Sequence, residues 1–169
     1  MKQKESSTDE VVGFSWSLIE QLVSQIVLQI NNSGQKYSAV YGLPRGGLIP
    51  AVMFSHQLGL PYYDWADLGS RTEPARHHNV LIVDDVIETG KTIKSRFAWS
   101  SDLRPFDIAT LIDKLQADWI DYYGLRVDLD VWVKFPWESD QSTTLNNDGD
   151  PTYPSPPNRS FLNDESGRV

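Results

Sequence analysis

At 169 residues the chain has room for one domain with a sizeable core and not for two. Its 40% hydrophobic and 11% aromatic content excludes a wholly disordered protein, and the absence of Cys excludes thiolate metal sites, disulfide frameworks and cysteine nucleophiles. Fifteen basic against 23 acidic residues leave a net charge of −8, which repels nucleic acid and anionic membranes.

Met1–Glu10 is polar and lacks the apolar centre of a signal peptide, and no apolar stretch is long enough to span a membrane, so a cytoplasmic protein is expected. Ser17 and Glu20 have capping-box spacing ahead of Leu18, Ile19, Leu22, Val23, Ile26 and Val27, which share one helical face. Tyr37–Tyr41 reads as a strand, Gly42–Gly47 as a tight turn, and Leu48–Leu58 as a helix ended by Gly59. Tyr62–Trp65 is a second short strand. Val80–Val83 has the continuous apolar run of a buried parallel strand, and an Asp/Gly/Thr loop and a helix over Lys91–Trp99 follow it. Ile108–Ile112 and Val127–Val133 are the last strands. Strands alternating with helices predict an α/β fold, mainly a parallel sheet with helices on both faces, whose ligands bind in the loops at the strands' carboxyl ends. Those loops follow Tyr41, Val83, Ile112 and Val133. Beyond Glu138 the chain is acidic and Pro-rich, with four prolines between Pro151 and Pro157, and residues 139–169 read as a flexible tail outside a domain of residues 1–138.

The chemistry concentrates in Val80–Thr92, where four apolar residues run into Asp84 and Asp85 and then into Glu88-Thr89-Gly90-Lys91-Thr92. The turn offers successive backbone N–H groups and the hydroxyls of Thr89 and Thr92 to a phosphate. The two carboxylates suit sugar hydroxyls or a Mg²⁺ ion, reached directly or through water. A nucleoside-triphosphate P-loop is excluded, because that motif needs a glycine where this chain has Asp85. His77 and His78, adjacent in a loop without a third ligand nearby, do not make a metal site, and His56 reads as a packing or surface residue.

Val80–Thr92 resembles the signature of the type I phosphoribosyltransferases, an apolar strand, two acids, two apolar residues, an acid and a Thr-Gly-x-Thr loop. The resemblance implies that Glu88, Thr89, Gly90, Lys91 and Thr92 bind the 5′-phosphate of phosphoribosyl pyrophosphate, and that Asp84 and Asp85 hold its ribose hydroxyls. Gly42-Leu-Pro-Arg-Gly-Gly47 is similar to the family's pyrophosphate loop. That similarity gives pyrophosphate binding to Arg45, Gly46 and Gly47 and places a cis peptide at Pro44–Arg45. An RNA-binding reading of Arg-Gly-Gly is discounted, since such tails come as repeats in disordered segments. Two more segments narrow the resemblance to the bacterial xanthine-guanine enzymes: Thr110-Leu-Ile-Asp-Lys114 and Trp132-Val-Lys-Phe-Pro-Trp-Glu138. They imply a Lys114 donor to a purine 6-oxygen, Trp132 stacked on the base, the Val133 carbonyl accepting from a 2-amino group, and a small C-terminal hood over the base. An ammonium there favours a carbonyl over an exocyclic amine, so 6-oxopurines are expected in preference to adenine, orotate or uracil.

The expected activity is a Mg²⁺-dependent transfer from phosphoribosyl pyrophosphate to guanine, xanthine or hypoxanthine, with Glu88 and Arg45 as its catalytic residues, in a homodimer or tetramer that binds neither nucleic acid nor membrane. The chain departs from the family in three places: Glu88 stands where purine enzymes usually have Asp, the Trp65–Asn79 lid with Ser70 and Arg71 is short, and the tail replaces a compact C-terminus. Fold does not fix function. A non-catalytic nucleotide or phosphoribosyl pyrophosphate sensor is therefore the second reading.

Overall fold

A computed structural model of the chain describes residues 11–63, 79–96 and 106–138. Five strands form one parallel sheet: β2 (Ala39–Gly42), β3 (Tyr62–Tyr63), β4 (Val80–Ile87), β5 (Phe106–Asp113) and β6 (Tyr122–Arg126), in the order β3-β2-β4-β5-β6. The central strand β4 is buried from Val80 to Val83, as its apolar run requires. Helices α1 (Trp16–Ser33) and α2 (Leu48–Leu58) cover one face, where Ile19, Leu22, Ile26 and Phe54 meet Val40, Leu81, Val83 and Leu111. The other face carries Tyr41, Ile82 and Ile108, covered by Ile93 of α3 (Lys91–Arg96) and by Ile120 from the β5–β6 connection. Each fully buried aliphatic side chain here contributes about 1.5–3 kcal/mol relative to exposure. Among the described residues no helix is long and apolar enough to cross a membrane.

Several expected boundaries move. Ser15, not Ser17, caps α1: its extended backbone (φ −89°, ψ 158°) leaves Oγ free to accept from the Leu18 N–H at 3.2 Å, and the Ser17–Glu20 capping box does not form because Ser17 is already inside the helix. β4 does not stop at Val83 but runs to Ile87, since its backbone stays in register with β5, Asp84 opposite Thr110 and Ile87 opposite Asp113. Val127–Val133 is not one strand: Val131 N–H donates to the Asp128 carbonyl at 3.3 Å, a turn that separates β6 from β7 (Trp132–Lys134). Trp65, residues 97–99 of the expected helix, most of the expected lid with Ser70, Arg71, His77 and His78, and the 139–169 tail lie outside the described residues.

The hood is built from both ends of the described chain. β1 (Val11–Gly13) pairs in parallel with β7, Val11 opposite Trp132 and Gly13 opposite Lys134, and the Phe14 N–H continues the ladder to the Lys134 carbonyl at 2.8 Å. Aromatic packing holds it down: Phe135 stacks on Trp137 at 4.7 Å and meets the edge of Phe14 at 5.9 Å.

Candidate functional site

The structure brings together the segments at the carboxyl ends of β2, β4 and β5, the place where helix dipoles and unpaired amides gather in such sheets. After β2, the chain turns through Pro44, Arg45, Gly46 and Gly47 into α2. The Pro44–Arg45 peptide is cis, Arg45 is exposed, and its carbonyl accepts from the Leu48 N–H at 3.2 Å. The two glycines are required by proximity. A Cβ on Gly46 would collide with the Asp85 carboxylate, and one on Gly47 would come within 2.5 Å of the Val83 carbonyl and 2.9 Å of the Asp84 Cα. The Arg45-Gly46-Gly47 loop therefore lies directly against the acidic pair, with bare backbone facing it.

Asp84 and Asp85 sit in the second half of β4, both half-buried. Asp84 Oδ1 accepts from the Asp85 N–H at 3.0 Å and Asp85 Oδ1 from the Val86 N–H at 2.8 Å. Burial pushes the Asp85 carboxyl up to about 6, with the charge of Glu138 adding to the rise, and the hydrogen bond from Val86 offsets this only in part. Thr110, fully buried on β5, fixes the strand here by donating to the Asp85 carbonyl (3.3 Å) or the Ile112 carbonyl (3.0 Å).

Glu88-Thr89-Gly90 leave β4 and open α3. Thr89 and Thr92 are exposed, the Lys91 N–H reaches Thr89 Oγ1 at 3.3 Å, and Gly90 takes φ +67°. A side chain on Gly90 would press to 2.7 Å from the Trp119 ring, so this turn tolerates only glycine. Lys114 follows β5 and is buried, 4% exposed, so it is not a surface lysine. Its ammonium forms an ion pair with the Glu88 carboxylate. Two residues singled out separately in the sequence are thus a donor and an acceptor in contact.

Trp132 and Val133 lie on β7, the first half-buried and the second buried. Trp137 stacks on Phe135. Glu138, whose charge reaches Asp85, and the buried Asp113, whose carboxylate accepts from Arg126 Nε at 3.0 Å, were not singled out by sequence reasoning. The one signal for Asp113 was a carboxylate closing an apolar strand; for Glu138 it was the acid that ends the Trp132–Glu138 segment, which was given no role. His56 is exposed on α2.

The donor set fits a Mg²⁺ ion of one kind. Such an ion keeps several waters and takes one or two carboxylates plus substrate phosphates. Asp84 and Asp85 would supply the pair, and among the described residues no cluster of three metal-binding side chains occurs. A site shared with a phosphorylated substrate matches this set, and a closed protein cage does not.

No protein-family model matches the chain. In sequence it is similar to the xanthine-guanine phosphoribosyltransferase of Cereibacter sphaeroides, with 27% identity over 73% of this chain and 84% of that protein. In structure it is similar to a purine phosphoribosyltransferase from Pyrococcus horikoshii, with a TM-score of 0.60 and 29% identity over 77% of this chain and 95% of the other. A hypothetical protein from Neisseria gonorrhoeae, solved with bound ppGpp, shares the fold at a TM-score of 0.66 and 24% identity, covering 79% and 92% of the two chains.

Proposed function

We propose that this chain, a homologue of the purine phosphoribosyltransferases with the fold of the type I family, transfers the 5-phosphoribosyl group from phosphoribosyl pyrophosphate to a 6-oxopurine and releases pyrophosphate. The observation that carries the reading is the packing of the Arg45-Gly46-Gly47 loop against Asp84 and Asp85. An anion cradle and a pair of hydroxyl acceptors side by side suit a sugar that bears pyrophosphate on its reacting carbon.

In this reading Arg45 and the amides of Gly46 and Gly47 hold the pyrophosphate, Asp84 and Asp85 accept from the ribose hydroxyls, and the Glu88–Thr92 turn receives the 5′-phosphate. The reacting carbon gains positive charge as the bond to pyrophosphate breaks and the bond to the base nitrogen forms, and the proton that the base's ring loses passes to the Glu88 carboxylate. The carboxylates next to it stabilise that charge, and catalysis rests on positioning and electrostatics with no covalent intermediate. Asp84 and Asp85 would hold a Mg²⁺ ion together with the substrate, directly or through water, and the ion would offset the charge of the leaving group. Glu88 and Lys114 present an acceptor beside a donor. That pair suits a ring N–H next to a carbonyl, the arrangement a 6-oxopurine carries and adenine does not. Trp132 would stack on the base, and the Val133 carbonyl would take a 2-amino group. A homodimer or tetramer acting in the cytoplasm, with small-molecule substrates alone, completes the proposal; the net charge of −8 speaks against nucleic acid and anionic membranes.

The test is turnover, base by base, with phosphoribosyl pyrophosphate and Mg²⁺. Guanine, xanthine or hypoxanthine should be consumed, with adenine and orotate at least tenfold poorer. Equal use of adenine or orotate would end the 6-oxopurine assignment, and nucleotide binding without any turnover would identify a sensor.

A further inference from the structure

We infer that Arg126, acting through Asp113, is a positioning residue that aims the Lys114 ammonium at the base; the inference rests on the purine-transfer reading above. It starts from a carboxylate in an unusual place. Asp113 closes β5 and is fully buried, 0% exposed, where an unpaired charge is strongly disfavoured. Both its oxygens are occupied. Oδ2 accepts from Arg126 Nε at 3.0 Å, and Oδ1 accepts from the Gln116 N–H at 2.7 Å.

Those two bonds bracket the segment that carries Lys114. Arg126 ends β6, the outer strand, opposite Asp113 in the sheet register, and its guanidinium lies 4.1 Å from the centre of the Tyr123 ring. Gln116 adopts φ +52°, a left-handed conformation that a residue with a side chain holds only when its surroundings impose it. The Asp113 carboxylate is what grips its N–H. On the other side the Lys114 and Leu115 N–H groups both donate to the Ile87 carbonyl, at 2.9 and 3.2 Å, one residue before Glu88. The backbone of Lys114 is therefore pinned between the end of β4 and the Asp113 turn, and its ammonium is delivered onto Glu88. A planar guanidinium bound through Nε fixes the direction of the carboxylate it holds, which fixes the turn in its place.

A structural ion pair would stabilise the whole molecule without favouring one substrate. A positioning pair acts on the base alone and only while Lys114 is present. In the full chain, Arg126→Gln should raise the KM for guanine at least tenfold while moving the KM for phosphoribosyl pyrophosphate less than threefold, and should narrow the preference for guanine over adenine. In a Lys114→Ala background the same substitution should add less than twofold, because the group it aims is gone. Arg126→Lys keeps a cation for Asp113 but not the planar Nε contact, so it should raise the KM for guanine by about threefold, with the same loss of effect on Lys114→Ala; it decides the matter if Arg126→Gln does not fold. Equal rises for guanine and phosphoribosyl pyrophosphate, effects additive with Lys114→Ala, or wild-type behaviour in both variants would overturn the inference. A wild-type chain that turns over no base would instead remove the reading it rests on.

Discussion

The two ends of the parallel sheet treat their polar groups in opposite ways. At the amino ends Tyr37, Asp107, Tyr122 and Ser33 close on one another: the Tyr37 hydroxyl donates to Asp107 Oδ2 at 2.5 Å, the two tyrosine hydroxyls share a hydrogen bond at 2.8 Å, and Ser33 Oγ lies 3.0 Å from Tyr122 Oη. Burial and the bond to Asp107 hold the Tyr37 hydroxyl protonated well above the usual tyrosine range. At the carboxyl ends Asp85 carries a carboxyl pushed up to about 6 by burial, with Glu138 adding to the rise, and Arg45 stands exposed beside it. The amino end holds only such closed pairs and stabilises the fold, whereas the carboxyl end has its own pairs, Glu88–Lys114 and Asp113–Arg126, beside carboxylates that repel one another. Keeping Asp85 and Glu138 close costs stability, the usual mark of a surface arranged for a ligand.

Substitutions at the two ends should therefore separate activity from stability. The largest effect is expected at Lys114: Lys114→Ala should lower kcat/KM for a 6-oxopurine by about 1.5–3 kcal/mol, the range for a hydrogen bond to a charged group, while the affinity for phosphoribosyl pyrophosphate holds. Steady-state kinetics in both substrates reads this directly, and full activity on guanine would refute it. Tyr37→Phe should do the reverse, costing about 1–3 kcal/mol in chemical denaturation while kcat/KM stays within twofold. Because Tyr37 holds its proton in the fold, its contribution is intact below pH 10 and is lost as the pH rises further, so the wild type should lose stability above pH 10 more steeply than the variant.

The smallest effect has the opposite sign. Ionised Asp85 opposes folding, so Asp85→Asn should gain about 1 kcal/mol above pH 6, a melting-temperature rise of roughly 2–4 °C. That gain should shrink as the pH falls through 6 and vanish below about pH 4, where Asp85 is neutral in both states. A loss of stability at pH 7.5 would mean that the carboxylates are fold-determining and the contrast between the two ends is wrong.

The parts of this contrast that were legible in the sequence are those written in consecutive residues. Val80–Thr92 announced a buried strand, a carboxylate pair and a glycine turn, and the Arg45-Gly46-Gly47 loop stood out between a strand and a helix. What was misread depended on partners far along the chain. Val127–Val133 alternates like a strand, yet it bends at Asp128–Val131 and Leu129 is left 66% exposed; among the described residues no strand pairs with Asp128–Val131. β6 went unnoticed because Gly124 interrupts it. That glycine is required by close approach, since a Cβ there would sit 2.6 Å from the Leu111 carbonyl. The pairing of β1 with β7 joins residues about 120 positions apart, and no local period announces such a contact. β4 looked finished at Asp84 because carboxylates suggest a loop; the ladder to β5 continued underneath them. The ion pairs Glu88–Lys114 and Asp113–Arg126 were hidden for the same reason, each needing two strands already side by side.

The claim on which everything else depends is that Asp84 and Asp85, beside the Arg45-Gly46-Gly47 loop, hold a pyrophosphorylated ribose. Calorimetric titration of phosphoribosyl pyrophosphate into the wild type and into Asp84→Asn/Asp85→Asn, with Mg²⁺ present, tests it most directly. Loss of charge-assisted bonds to the sugar hydroxyls should raise the Kd of the folded double variant by at least tenfold, about 1.4 kcal/mol. Equal affinity in wild type and variant, with both folded, would contradict the account.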